Sequence, residues 1–346
     1  MNISSDLPER IEIPAAWIGE DIRREPNRWR WSLAEAEIAE LERSAREFLA
    51  GGEDLLYLTP EKFPLPALQK KLHALRDALI RGMGFEVIRG IPVERLGEKL
   101  SSIIFFGIGS HIGRARSQNA GGDFLGHVRD VGADSRDPNT RIYQTSERQT
   151  FHTDSADVVG LLCLKEARRG GRSLLVSAAT VYNEFRRLRP DLLDCLFDAI
   201  ATDRRGEVRE GEKPFFTIPV FSWHAGFLTV MYQRQYIDSA RRFPEAPKLT
   251  ARHIEALDLF DKLTDDPRLH FSMRLRPGDM QFVYNHNLLH DRTSFTDWPE
   301  PERKRHLLRL WLSVPDDRPL PECFRQRYGS IEIGDRGGVA IGKVER

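Results

Sequence analysis

Early in the chain, apolar residues recur at steps of three and four. Later they come in short runs or alternate with polar residues. The first pattern predicts helices and the second predicts strands. In "SLAEAEIAELERSAREFLAGG", Ile38, Leu41, Ala45 and Phe48 share one helical face; Ser32 is placed to cap its start, and Gly51-Gly52 to end it. "PALQKKLHALRDALIRGMG" reads as a second helix through Leu68, Leu72, Leu75 and Leu79. "FEVIRG" reads as a strand and "VERLGEKLSSIIFFGIGSHIG" as a third helix. Its "GIGSHIG" follows a helical pattern, which argues against a dinucleotide-binding turn.

Beyond it, "RIYQT", "VVGLLCL", "RSLLVS", "PFFTIPVF" and "FLTVMYQ" read as strands. "VYNEFRRLRPDLLDCLFDAI" reads as a helical insert broken at Pro190, and another helix carries Ile254, Leu257, Phe260 and Leu263. "HFSMRLRPGDMQFVYN" reads as a hairpin around Pro277-Gly278-Asp279, and "RHLLRLWLSV" as a late strand. Helices first and many short strands after give an α+β order with an all-β core.

Composition narrows the function classes. Across 346 residues, 52 Lys and Arg balance 52 Asp and Glu, so bulk charge does not point to a nucleic-acid or membrane-surface partner. Three cysteines without a C-x-x-C spacing read as reduced thiols. The N-terminus shows no apolar signal segment, and no run approaches the roughly 20 residues of a membrane span. A cytoplasmic protein with a small-molecule partner is expected; a homo-oligomer is left open.

The candidate chemistry starts in "FHTDSADVVGLLCL". His152 and Asp154 are two apart, so on an extended segment both face one side. Imidazole and carboxylate suit a divalent first-row metal, and two histidines with one carboxylate are the usual donors for non-haem Fe(II). Alone, H-x-D more often marks a hydrogen-bonded loop. "RPGDMQFVYNHNLLHDRTSF" offers His286 and His290, whose spacing lacks the Glu of a zinc-protease helix. Arg305 and Arg309 lie on an apolar strand, where an unpaired charge is costly. They read either as a structural ion pair or as a carboxylate clamp, and Ser173 in "GGRSLLVS" could serve the same carboxylate.

Taken in order, H-x-D, G-G-x-S, "PGDMQFVYNHNLLHDR" and R-x-x-x-R resemble the TauD/TfdA-like family of Fe(II)/2-oxoglutarate-dependent dioxygenases, and "GFEVIRGIPV" resembles its early strand. The resemblance implies a double-stranded β-helix, a jelly-roll core with helices packed outside. On this reading residues 1–80 form an N-terminal helical extension and 81–346 a single catalytic domain. It implies His152, Asp154 and His290 as iron ligands, with 2-oxoglutarate and O2 as cosubstrates. Arg305 is implied as the partner of the distal 2-oxoglutarate carboxylate, with Ser173 nearby in place of the usual Thr. Arg309 then braces the cosubstrate or meets an anionic group on a small substrate. The family usually reads His-Gly-Arg where this chain has His290-Asp291-Arg292, which puts the backbone turn after the ligand in question. Two rival readings use the same residues: a non-catalytic jelly-roll protein that binds a small carboxylate, and a Zn(II)-dependent hydrolase.

Overall fold

The computed structural model describes residues 7–119, 121–134, 137, 140–208 and 211–339. Three early helices follow the apolar spacing: α1 Glu35–Ala50, α2 Gln69–Ile80 and α3 Val93–Ile112. Leu41, Ala45 and Phe48 of the first and Leu72, Leu75 and Leu79 of the second are buried in one cluster. Ser32 does not cap α1. It ends a strand, and the Glu37 carboxylate accepts the Ala34 N–H at 2.8 Å instead. "GIGSHIG" lies within α3 and its C-terminal boundary.

Eleven strands build the core: β1 Arg30–Ser32, β2 Phe85–Arg89, β3 Arg114–Arg116, β4 Leu125–Val128, β5 Gln149–His152, β6 Val158–Lys165, β7 Ser173–Ser177, β8 Phe271–Met273, β9 Met280–Tyr284, β10 Leu288–Arg292 and β11 His306–Ser313. The larger sheet runs β1-β2-β9-β6-β11-β3, with β4 also on β11; the smaller runs β8-β7-β10-β5. Together they form the double-stranded β-helix. Among the described residues no helix is long and apolar enough to cross a membrane.

Two further expectations change. "RIYQT" holds a 3-10 turn, Ile142–Gln144, rather than a strand. The segment around Pro277-Gly278-Asp279 is not a hairpin, because β8 pairs with β7 while β9 pairs with β2 and β6. The turn carries the chain from one sheet to the other. Gly278 is needed there: its φ is +85°, and a Cβ would lie 2.0 Å from the Ile91 carbonyl oxygen.

β11 sets the division between core and cavity. Leu308, Leu310 and Leu312 join the cluster that includes α3, while Leu307 and Arg309, with Arg305 one residue before the strand rather than on it, face the barrel interior. One alternating strand thus supplies both the packing and the charged wall.

Candidate metal centre

β5 ends at His152, which pairs with His290 of β10 across the smaller sheet. Asp154 lies just past the strand, where Asn285 fixes the loop. The Asn285 amide oxygen accepts the Asp154 N–H at 3.0 Å, and its nitrogen donates to the Ala156 carbonyl at 3.0 Å and to the Asp154 carbonyl. His152 Nε2 is 3.9 Å from Asp154 Oδ1, and His290 Nε2 is 3.7 Å from Asp154 Oδ2. One ligand atom from each residue lies within 4.8 Å of the others. Bonds of about 2.0–2.2 Å to one ion are within reach of that spacing.

The donors are held in the form a metal needs. His152 Nδ1 donates to the Thr150 carbonyl at 2.8 Å, leaving Nε2 as the lone-pair nitrogen. Burial, and then the neighbouring His290, push the His152 imidazole down to about 3, so it is uncharged at neutral pH. Burial alone would raise Asp154. The Arg309 guanidinium and both histidines outweigh it and hold the carboxyl well below the usual carboxylate range.

Arg309 is firmly engaged. Its Nε donates to Gln118 Oε1 at 2.7 Å, its Nη1 lies 3.4 Å from Asp154 Oδ2, and its guanidinium faces the rings of Tyr143 and Trp311. Trp311 Nε1 donates to the same Asp154 oxygen at 2.8 Å. Arg309 therefore braces the Asp154 carboxylate.

Arg305 is different. It shares the triad's cavity with Ser173, and its Nη1 is buried without a hydrogen-bond partner among the described residues. Asp297 accepts only its backbone N–H, at 2.8 Å. Gly171 makes room for it: with φ +65°, a Cβ there would sit 3.0 Å from Arg305 Nε. Burial pushes Arg305 down to about 10, and burial together with Arg305 pushes Arg292 down to about 9. Both shifts mark a cavity short of negative charge. Arginine keeps its proton in proteins, so we read them as demand for an anion. The Ser173 hydroxyl donates to Gln281 Oε1 at 2.9 Å.

At Asp291 the register of β10 with β7 is unbroken, while its register with β5 shifts between His290 and Arg292. β10 continues through Asp291 to Arg292, the Asp291 φ is not positive, and its carboxylate accepts from Arg148 Nε at 2.9 Å and Nη2 at 2.7 Å. His286 stands apart from the triad, with Asp157 and Asp317. Asn285, Gln118 and Trp311 gave no sequence signal, nor did Gln149, whose amide lies 2.9 Å from His152 Nε2.

Beyond Asp154 lies a second chamber, small at about 20 Å³ as it stands, lined in part by Arg141, Ser155, Asp203, Tyr236, Trp311 and Arg327. Glu207 pairs with Arg141 and lies 3.5 Å from Arg327 Nη2, while Arg327 Nε donates to Ser155 Oγ at 2.7 Å. Burial pushes Arg327 below the usual arginine range. A roomier groove of about 1030 Å³, beside Tyr57, His73 and Arg114, holds none of the clusters with metal-ligand spacing.

The taurine catabolism dioxygenase TauD, TfdA family matches residues 52–311. The chain is 33% identical over 313 residues to FR-33289 synthase of Streptomyces rubellomurinus, covering 88% of this chain and 91% of that protein. It is 31% identical over 314 residues to the taurine hydroxylase-like protein SAT17 of Stachybotrys chartarum, covering 88% and 80%. The fold also matches an asparagine oxygenase solved with Fe(II), 3-hydroxyasparagine and succinate, with a TM-score of 0.65 and 18% identity over 82% of this chain and 93% of that one.

Proposed function

Because the chain belongs to the taurine catabolism dioxygenase TauD, TfdA family and is an Fe(II)- and 2-oxoglutarate-dependent oxygenase, we propose that His152, Asp154 and His290 hold its iron, that Arg305 grips 2-oxoglutarate, and that the substrate is a small anionic molecule bound beyond Asp154. Bound iron, with O2 and 2-oxoglutarate, supplies the oxidation: 2-oxoglutarate leaves as succinate and CO2, and one oxygen atom enters a substrate C–H bond. The side chains do the rest. Thr150 fixes the His152 tautomer, Trp311 and Arg309 orient the Asp154 carboxylate, and Leu161, Leu275 and Leu307 keep the wall apolar.

The observation that carries the cosubstrate assignment is Arg305 Nη1, a buried cationic nitrogen without a hydrogen-bond partner among the described residues, in the triad's own cavity. A dicarboxylate anchored at the metal brings a second carboxylate to meet it, and a guanidinium matches that group with two parallel N–H bonds. Ser173 supports the same carboxylate once its proton leaves Gln281. Gln149 gives up its contact with His152 Nε2 to the metal.

The second chamber supports the anionic substrate. There Arg141 and Arg327 share the Glu207 carboxylate, and Asp203, which also lines the chamber, is paired with Arg242, so the two guanidiniums are the groups an anionic substrate would meet. Taurine, in the name of the family and of one relative, carries a sulfonate. The protein works in the cytoplasm on this reading, where its three free cysteines stay thiols.

The test is succinate release across sulfonates, phosphonates and carboxylates and their neutral analogues at saturating 2-oxoglutarate. The anionic members should turn over, and Arg141→Gln should raise the substrate KM without changing the cosubstrate KM. A best substrate without an anionic group would sink the anion assignment and leave the iron assignment standing.

A further inference from the structure

Outside the cavity, on the face of β11 opposite Arg305 and Arg309, three donors of another kind meet. His306 opens β11, His127 lies on the adjacent β4 opposite Leu308, and Glu98 comes from α3. His127 Nδ1 is 2.8 Å from His306 Nε2. Glu98 Oε1 is 3.9 Å from His127 Nδ1, and Glu98 Oε2 is 3.7 Å from His306 Nδ1. One ligand atom from each lies within 4.8 Å of the others.

We propose that Glu98, His127 and His306 form a second binding site for a divalent transition-metal ion, with Zn(II) as the natural occupant, separate from the catalytic triad. Two imidazoles and one carboxylate are a familiar zinc donor set, leaving a position for water. In the hydrogen-bonded pair a single proton lies between two ring nitrogens. A metal ion takes that proton's place and draws a lone pair from each ring. Tetrahedral bonds of about 2.0–2.1 Å place the nitrogens about 3.3 Å apart, so the rings must separate by about half an ångström. His127 can supply that movement, because its side chain is 43% exposed, whereas His306 is 8% exposed and fixed. Glu98, at 56%, can close onto the ion from solvent. Lys165, the register partner of His306, opposes a cation and limits the affinity. The ion would tie α3 to β4 and β11 at the point where β11 delivers Arg305 to the cavity.

Zn(II) alone is the probe, titrated by calorimetry into metal-free protein carrying His152→Ala and His290→Ala, so that the triad cannot compete. One equivalent should bind. Removing a ligand should cost at least as much as the roughly 10–100-fold typical of a lost supporting hydrogen bond. His127→Ala should therefore raise the Kd about 100-fold or more, and Glu98→Gln, also at an exposed position, at least about 10-fold. In the chain with an intact triad, His127→Ala should lower the Zn(II) count from two to one while the Fe(II)-dependent activity of the metal-free, iron-reloaded enzyme persists. No binding to the triad-less protein, or binding that survives His127→Ala, overturns the site. Neither result touches the iron assignment, because the triad is absent from the first titration.

Discussion

Two clusters in this protein are built from histidine and aspartate within the same spacing, one with two His and one Asp and the other with one His and two Asp, and only the first is open for chemistry. His152, Asp154 and His290 line a cavity; Asp157, His286 and Asp317 lie in solid core. In the second cluster every carboxylate oxygen is engaged. Asp157 accepts from His286 Nε2 at 2.8 Å, Arg336 Nε at 2.7 Å, the Val314 N–H at 3.0 Å and Ser313 Oγ at 3.2 Å. Asp317 accepts from Arg336 Nη2 at 2.8 Å and from the Tyr284 hydroxyl. His286 Nδ1 has no hydrogen-bond partner among the described residues, and the ring packs against Tyr284 and Tyr328. A guanidinium already stands where a cation would go. In the first cluster the guanidinium of Arg309 is set to one side, and the donors face a shared space with an unpaired arginine nitrogen behind it. Ligand types therefore do not make a site; uncommitted donors facing a cavity do.

Exchanging roles between the clusters tests this contrast. The largest effect is expected at the triad. His152→Ala or His290→Ala should abolish succinate formation with little change in melting temperature, because the removed ring faces a cavity. Asp157→Ala should do the reverse, destabilising the fold by about 3–5 kcal/mol by leaving the buried Arg336 with Asp317 as its one carboxylate partner and its Nε unpaired; chemical denaturation measures this. The sign with pH follows. His286 and Arg336 outweigh burial and keep Asp157 below its ordinary pKa. Its stabilisation is therefore present above about pH 3.9 and is lost as the pH falls through the depressed folded value. Asp157→Asn should flatten that acid limb of the stability curve.

Arg305→Ala comes next. Losing a buried charged partner costs about 2–5 kcal/mol, a factor of roughly 30 to several thousand in the 2-oxoglutarate KM. Arg305→Lys should recover only part, since an ammonium lacks the planar fork; equal KM values in both variants and the parent would remove Arg305 from the cosubstrate site. The smallest effect belongs to Asp291→Gly. Loss of its bonds to Arg148 should cost about 1–3 kcal/mol of stability, while iron binding stays intact because β10 keeps its register with β7 through this position.

The sequence was most legible where one residue's chemistry or one element's period decides the outcome. Leu72, Leu75 and Leu79 announced a helix face, and H-x-D with a distal His announced three donors that the fold brings within 4.8 Å. It was least legible where the partner is far along the chain. Gln118 and Arg309 are 191 positions apart, and nothing local tells that their side chains meet. The pairing of β8 and β9 with different sheets is likewise a tertiary decision, hidden behind a turn that looks like any hairpin. Ser32 looked like a cap because its type is right, yet pairing with Arg89 in the sheet claimed it first. His286 and His290 are indistinguishable by type; one faces Asp157 in the core and the other the cavity.

The central claim is that the open cluster, and not the closed one, holds iron and 2-oxoglutarate. Anaerobic addition of Fe(II) and then 2-oxoglutarate, followed by visible absorption, tests it most directly. The account predicts a weak charge-transfer band at one equivalent of iron in the parent protein and in Asp291→Gly, and no band in His152→Ala or His290→Ala. An undiminished band in both histidine variants would place the iron elsewhere and contradict it.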